Sequence, residues 1–193
     1  PYYGEAYVRL GTLYVASGRE EESVRLFKEA IDADPYHGKA YNNLGVIYLR
    51  NGRREEAIGL FKKAIESDPG YAEAYFNLGT IYADMGRQQE AVDLFKRTVK
   101  LDPGHAKAYY NLGFLYNASG MSQEAIEAYK GAIEIDEDYA KAHNNLAALY
   151  YSLGRYDLAV TYCEKALGLG YEADPQFLNA LRPYREKGTE RDD

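Results

Sequence analysis

The chain has no tryptophan, two methionines and a single cysteine, Cys163, among its 193 residues. One thiol cannot build an internal disulfide framework and is compatible with a reducing compartment, so a cytoplasmic location is the default expectation. No stretch approaches the roughly 18 apolar residues that span a bilayer, so membrane insertion is not expected. No secretory signal is visible, but the chain opens on Pro1 instead of an initiator methionine, which leaves a preceding targeting segment open. Positive charge is also in short supply. A formal net charge of −7 argues against a general nucleic-acid binder, because phosphate backbones are held by basic surfaces. Chemistry-bearing clusters are equally scarce: there is no His-Glu-x-x-His, no cysteine pair and no glycine-rich phosphate loop. No catalytic residue, metal or cofactor is therefore expected.

What the chain has in excess is tyrosine, 21 of them, and they are spaced regularly. An Asp-Pro pair brings its proline to Pro35, Pro69 and Pro103, a 34-residue period, with Glu137 in the next slot. Repeats counted from this pair start at Gly4, Gly38, Ala72, Ala106 and Ala140. Position eleven is then always tyrosine (Tyr14, Tyr48, Tyr82, Tyr116, Tyr150), and position fifteen is always glycine, from Gly18 to Gly154. Positions four, seven, eight and eleven fall on one stripe of a helix, and positions twenty, twenty-four and twenty-seven on one stripe of a second. The glycine at fifteen supplies the turn between them. A mid-helix glycine at position eight (Gly11, Gly45, Gly79, Gly113) costs about 1 kcal/mol relative to alanine. Close approach of the second helix through its small residue at position twenty is the expected compensation. Cys163 stands where earlier repeats have Phe27, Phe61 and Phe95, so it reads as an inert core thiol. His143 replaces a tyrosine of the packing stripe and reads as core.

These positions resemble the tetratricopeptide repeat family. The resemblance implies an all-α fold: a right-handed α-solenoid of five helix–turn–helix units with a concave groove lined by first helices. Its units are 4–37, 38–71, 72–105, 106–139 and 140–173. Residues 1–3 match the end of a preceding repeat, so the chain is expected to be cut from a longer array. A capping helix is expected over 174–186, with Pro183 forbidding long continuation, followed by a charged, disordered tail over 187–193.

In this family positions two, five, six, nine, twelve and thirteen of the first helix face the groove. Position six carries Asn43, Asn77, Asn111 and Asn145, a poor helix former repeated on a solvent face. An amide both donates and accepts, so such a row can bind the backbone of an extended peptide without demanding a sequence. The row is similar to the asparagine ladder of peptide-binding arrays such as that of O-linked N-acetylglucosamine transferase. Beside it lie Phe76, Tyr110, Phe114 and Tyr151, aromatic surface of the kind found at binding hot spots, with packing of some of them on the neighbouring first helix as the alternative. Lys39, Lys107 and Lys141 at position two help make the groove more positive than the chain, favouring a neutral to acidic partner. The lysine and arginine clamp by which chaperone-binding members hold a terminal carboxylate is incomplete here. The functional expectation is a non-catalytic module that binds a protein or an extended peptide. Self-association, and service as the recognition domain of a larger enzyme such as a glycosyltransferase, remain open alternatives.

Overall fold

The hydrophobic stripes fold as helices. In the computed structural model, residues 2–189 are described, with side chains for 3–185. Five helix–turn–helix pairs form: α1 (Tyr2–Ala16) with α2 (Glu20–Ala33), α3 (Gly38–Arg50) with α4 (Arg54–Ser67), and α5 (Ala72–Asp84) with α6 (Gln88–Leu101). They are followed by α7 (Ala106–Ala118) with α8 (Ser122–Ile135), and α9 (Ala140–Ser152) with α10 (Tyr156–Gly168). A C-terminal helix, α11 (Pro175–Thr189), completes the chain, and no strand occurs among the described residues. The helices gather into two units, α1–α6 and α7–α11.

Each first helix ends in the same way. Gly52 takes φ +75°, its N–H donates to the Leu49 carbonyl at 3.0 Å, and the Arg53 N–H donates to the Tyr48 carbonyl at 2.9 Å. This is the Schellman arrangement, in which a left-handed residue lets the chain turn while satisfying the last carbonyls. The same backbone bond reaches Tyr14, Tyr82, Tyr116 and Tyr150 in the other repeats. At the far end of the pair an aspartate closes the turn. Asp34, Asp68 and Asp136 each accept an N–H two residues on, at 3.1, 3.0 and 3.2 Å. Helices α3, α5, α7 and α9 consequently start where the period puts them. Helix α1 begins at Tyr2, two residues before its repeat start.

The glycines at position eight make room for something other than the residue at position twenty. A Cβ on Gly45 would stand 2.8 Å from Cε1 of Phe61, and one on Gly113 would stand 2.6 Å from Cδ1 of Tyr129. Gly11 faces Phe27 and Gly79 faces Phe95 in the same way. It is therefore the aromatic ring at position twenty-four that requires the glycine. The fifth repeat confirms the rule in reverse: Ala147 is fully buried there, and the facing slot holds the small Cys163. Burial pushes the Cys163 thiol pKa up, as an unreactive core thiol requires.

The two ends of the array differ from the repeats between them. Leu44, Leu78, Leu112 and Leu146 are buried, whereas Leu10 at the same position is 41% exposed and Leu13 is 65% exposed. No helix precedes α1 among the described residues to cover them. At the other end Pro183 does not stop the helix, which runs through it to Thr189. The lost N–H is offset by anchoring on either side, with Leu181 fully buried and Tyr184 stacked on Tyr156 at 3.8 Å. Residues 187–189, expected in the tail, are helical, and 190–193 lie outside the described residues.

Candidate functional site

In the first unit, Lys39, Asn43, Val46 and Arg50 recur along α3 at helical spacing and form one stripe. The asparagines beside them are not independent. Asn77 Nδ2 donates to Asn42 Oδ1 at 2.9 Å, and Asn42 Nδ2 donates in turn to Asn43 Oδ1 at 3.4 Å. Asn42 is 3% exposed, so this relay runs through a buried amide. Its consequence is polarity. Among the described residues Asn43 accepts this contact on its oxygen and has no partner for its N–H donors, while Asn77 has spent a donor and has no partner for its oxygen. The hydroxyls of Thr12 and Thr80 are turned back onto their own helices, bonded to the Val8 and Phe76 carbonyls at 2.9 and 3.0 Å. Phe76 is half-buried with its ring 5.7 Å from that of Phe95. A small cavity opens between α1 and α3, with Asn43 and Arg50 in its lining.

In the second unit, Lys107, Tyr110, Asn111 and Phe114 share one face of α7. Phe114 is 54% exposed, and Asn111 is half-buried with no side-chain hydrogen bond among the described residues. Tyr110 is half-buried. Its ring lies 5.1 Å from Tyr139 and 5.9 Å from Tyr129, and its hydroxyl accepts Asn145 Nδ2 at 3.1 Å. Burial raises the pKa of the Tyr110 hydroxyl, and it raises those of Tyr129 and Tyr139 to about 12, so all three stay neutral at ordinary pH. Asn145 repeats the pattern of Asn77, bonding to position five of the preceding repeat 35 residues back. Tyr151 is half-buried under the C-terminal helix, 5.8 Å from Phe177 and 6.4 Å from Tyr184. Of the four expected aromatics, then, Phe114 presents an open ring, and the other three spend a face on neighbours. Lys39, Lys107 and Lys141 are exposed.

His143 is buried, and its Nε2 lies 2.9 Å from the Glu137 carbonyl. Tyr75, at the same position, donates its hydroxyl to the Pro69 carbonyl at 3.2 Å, so the histidine keeps the tyrosine's bond across the turn. Sequence reading missed a second recurring device. Arg19, Arg53 and Arg87 lie over Tyr14, Tyr48 and Tyr82 at 4.1, 3.7 and 3.9 Å and pair with Glu22, Glu56 and Glu90. The glutamates answer an arginine as well as a helix dipole. No three His, Cys, Asp or Glu side chains converge to hold a metal among the described residues, and no helix there is long and apolar enough to cross a membrane.

Profiles described as tetratricopeptide repeats match residues 4–37, 36–104, 94–127, 116–154 and 140–169. No curated protein sequence matches. Among solved structures, a crystal structure of MamA is 32% identical with a TM-score of 0.72, covering 83% of this chain and 94% of that one. PilF of Pseudomonas aeruginosa superposes with a TM-score of 0.83 at 22% identity, over 96% of this chain and 85% of its own. YrrB, described as a repeat protein with an unusual peptide-binding site, gives 0.71 at 22% identity over 91% and 90%. At that identity PilF and YrrB establish likeness of fold. With its profile matches running from residue 4 to residue 169 and a relative 32% identical over nearly its whole length, the chain belongs to the tetratricopeptide repeat family.

Proposed function

We propose that the chain is a non-catalytic binding module whose first-helix faces take up an extended segment of another polypeptide. Tetratricopeptide repeat proteins typically serve protein–protein interaction, and the finer reading rests on the asparagines. Among the described residues Asn43 keeps its amide donors uncommitted and Asn77 keeps an uncommitted oxygen, with Asn77 oriented by its 2.9 Å bond to the buried Asn42. An extended backbone presents carbonyls and N–H groups along its length, so a donor followed by an acceptor suits it without regard to sequence. In the second unit Asn111 beside the open ring of Phe114 offers the same combination of amide and apolar surface. Lys39, Lys107 and Lys141 favour a neutral or acidic segment. The peptide-binding site ascribed to YrrB is consistent with this use of the fold, and the likeness to the ladder of O-linked N-acetylglucosamine transferase remains one of residue type.

The test uses the intact chain and a displayed library of random peptides. Asn43→Ala with Asn111→Ala is expected to lose capture of the peptides selected by the unaltered chain, at unchanged helicity. Capture that survives both substitutions contradicts the reading.

A second reading, self-association, is favoured by Tyr3, Leu10 and Leu13, which expose apolar surface on α1.

A further inference from the structure

The cavity between α1 and α3 is small and mostly apolar. Val15, Phe27, Val46 and Ile47 are its apolar lining residues, and its volume is about 120 Å³. Thr12 contributes to the same lining, and because its hydroxyl is bonded inward to the Val8 carbonyl it presents its methyl group. Besides Thr12, the polar residues of the lining are Asn43 and Arg50. A dry cavity of roughly 150 Å³ accepts a benzene ring, whereas pockets for cofactors run from about 300 Å³ upward. This one is the size of an aliphatic side chain.

Arg50 gives the pocket a second requirement. It is exposed in the last turn of α3 and has no ion-pair partner among the described residues. Arg19, Arg53 and Arg87 each pair with a glutamate three residues on, so Arg50 differs from these arginines of the same unit in carrying an unanswered charge. A planar guanidinium with all its donors available suits a carboxylate. Lys39, on the same stripe of α3, adds positive charge.

Resting on the peptide-binding reading above, we infer that this cavity is a side-chain subsite: it takes a leucine, isoleucine or valine of the bound segment, and Arg50 holds an aspartate or glutamate next to it. Asn43, one turn before Val46 on the same stripe of α3, bonds the segment's backbone. The sequence specificity that a row of amides cannot supply would come from this pocket.

The experiment pans a displayed library of random peptides against the intact chain, Val46→Phe and Arg50→Glu. The unaltered chain should enrich an aliphatic residue beside an acidic one. Val46→Phe fills the cavity and should weaken the selected peptides roughly tenfold to a hundredfold, the range set by burying one aliphatic side chain. Arg50→Glu alters an exposed residue, so folding is not at stake, and it should exchange the acidic preference for a basic one. Selected peptides without the aliphatic–acidic pair, or preferences unchanged in both variants, overturn the subsite while leaving backbone capture by Asn43 standing. Failure to select any peptide overturns both.

Discussion

Asn77 donates to Asn42 at 2.9 Å across 35 residues of sequence, and the acceptor is a buried amide. This bond separates two asparagines that a sequence reading treats as equals. Asn77 belongs partly to the interior, whereas Asn43 is joined to Asn42 only by a 3.4 Å contact. Truncating Asn77 leaves the Asn42 oxygen buried without a donor, a loss of about 1–3 kcal/mol. Urea denaturation of Asn77→Ala should therefore show a clear loss of stability, with Asn43→Ala close to the unaltered chain. Equal losses in the two variants would show that the relay carries no weight.

The glycine and aromatic pairing gives a sharper test of packing. Gly45→Ala puts a Cβ 2.8 Å from the Phe61 ring, and overpacking of this kind costs about 1–3 kcal/mol. Phe61→Cys alone leaves a cavity and is destabilising by a similar or larger amount. Together they recreate the Ala147 and Cys163 pair of the fifth repeat, so the double variant should be more stable than the sum of the singles, by about 0.5–3 kcal/mol. Additive losses measured by chemical denaturation would refute the steric reading.

Tyr129 and Tyr139 should make stability fall in alkali. Both hydroxyls have their pKa raised from 10.0 to about 12 by burial, and Tyr71 in the first unit has the same shift. A raised pKa means the folded state holds its proton where the unfolded state has lost it. The associated stability is complete below pH 10 and is lost as pH climbs toward 12. A phenolate absorbance titration should show these three ionising late, together with loss of helicity. Ionisation of every tyrosine in one step near pH 10, with helicity retained, is the contrary result.

Leu13 is 65% exposed on α1, and Leu10 is 41% exposed one turn before it. Replacing both with lysine removes an apolar edge at a folding cost within about 0.5 kcal/mol each, as for other surface changes. If copies of the chain associate through this edge, sedimentation should shift from a concentration-dependent species to a monomer. A chain that is monomeric at every concentration before substitution dismisses the self-association reading.

The helices and their turns were legible in the sequence because both are local. Gly52, Asp34 and the stripe through Tyr48 act on neighbours within one repeat, so α3, α5, α7 and α9 start where the period says. Contacts between repeats were less legible. Nothing local tells that Asn42 is buried between Asn43 and Asn77, or that Tyr110 caps Asn145. The space beside Gly45 was credited to the wrong neighbour, because a small residue at position twenty and a ring at position twenty-four are both compatible with a tight crossing. Pro183 was over-read because backbone propensity ignores the anchoring of Leu181 and Tyr184. The Arg50 cavity was missed since short side chains at Thr12 and Val15 carry no chemistry of their own; their signal is the room they leave.

The most direct measurement is the side-chain amide spectrum of the intact chain, titrated with a peptide selected from a random library. Backbone capture by the uncommitted amides predicts that the Asn43 and Asn111 resonances shift strongly on binding, while the buried Asn42 amide moves little. Saturable binding that leaves Asn43 and Asn111 unmoved would contradict it.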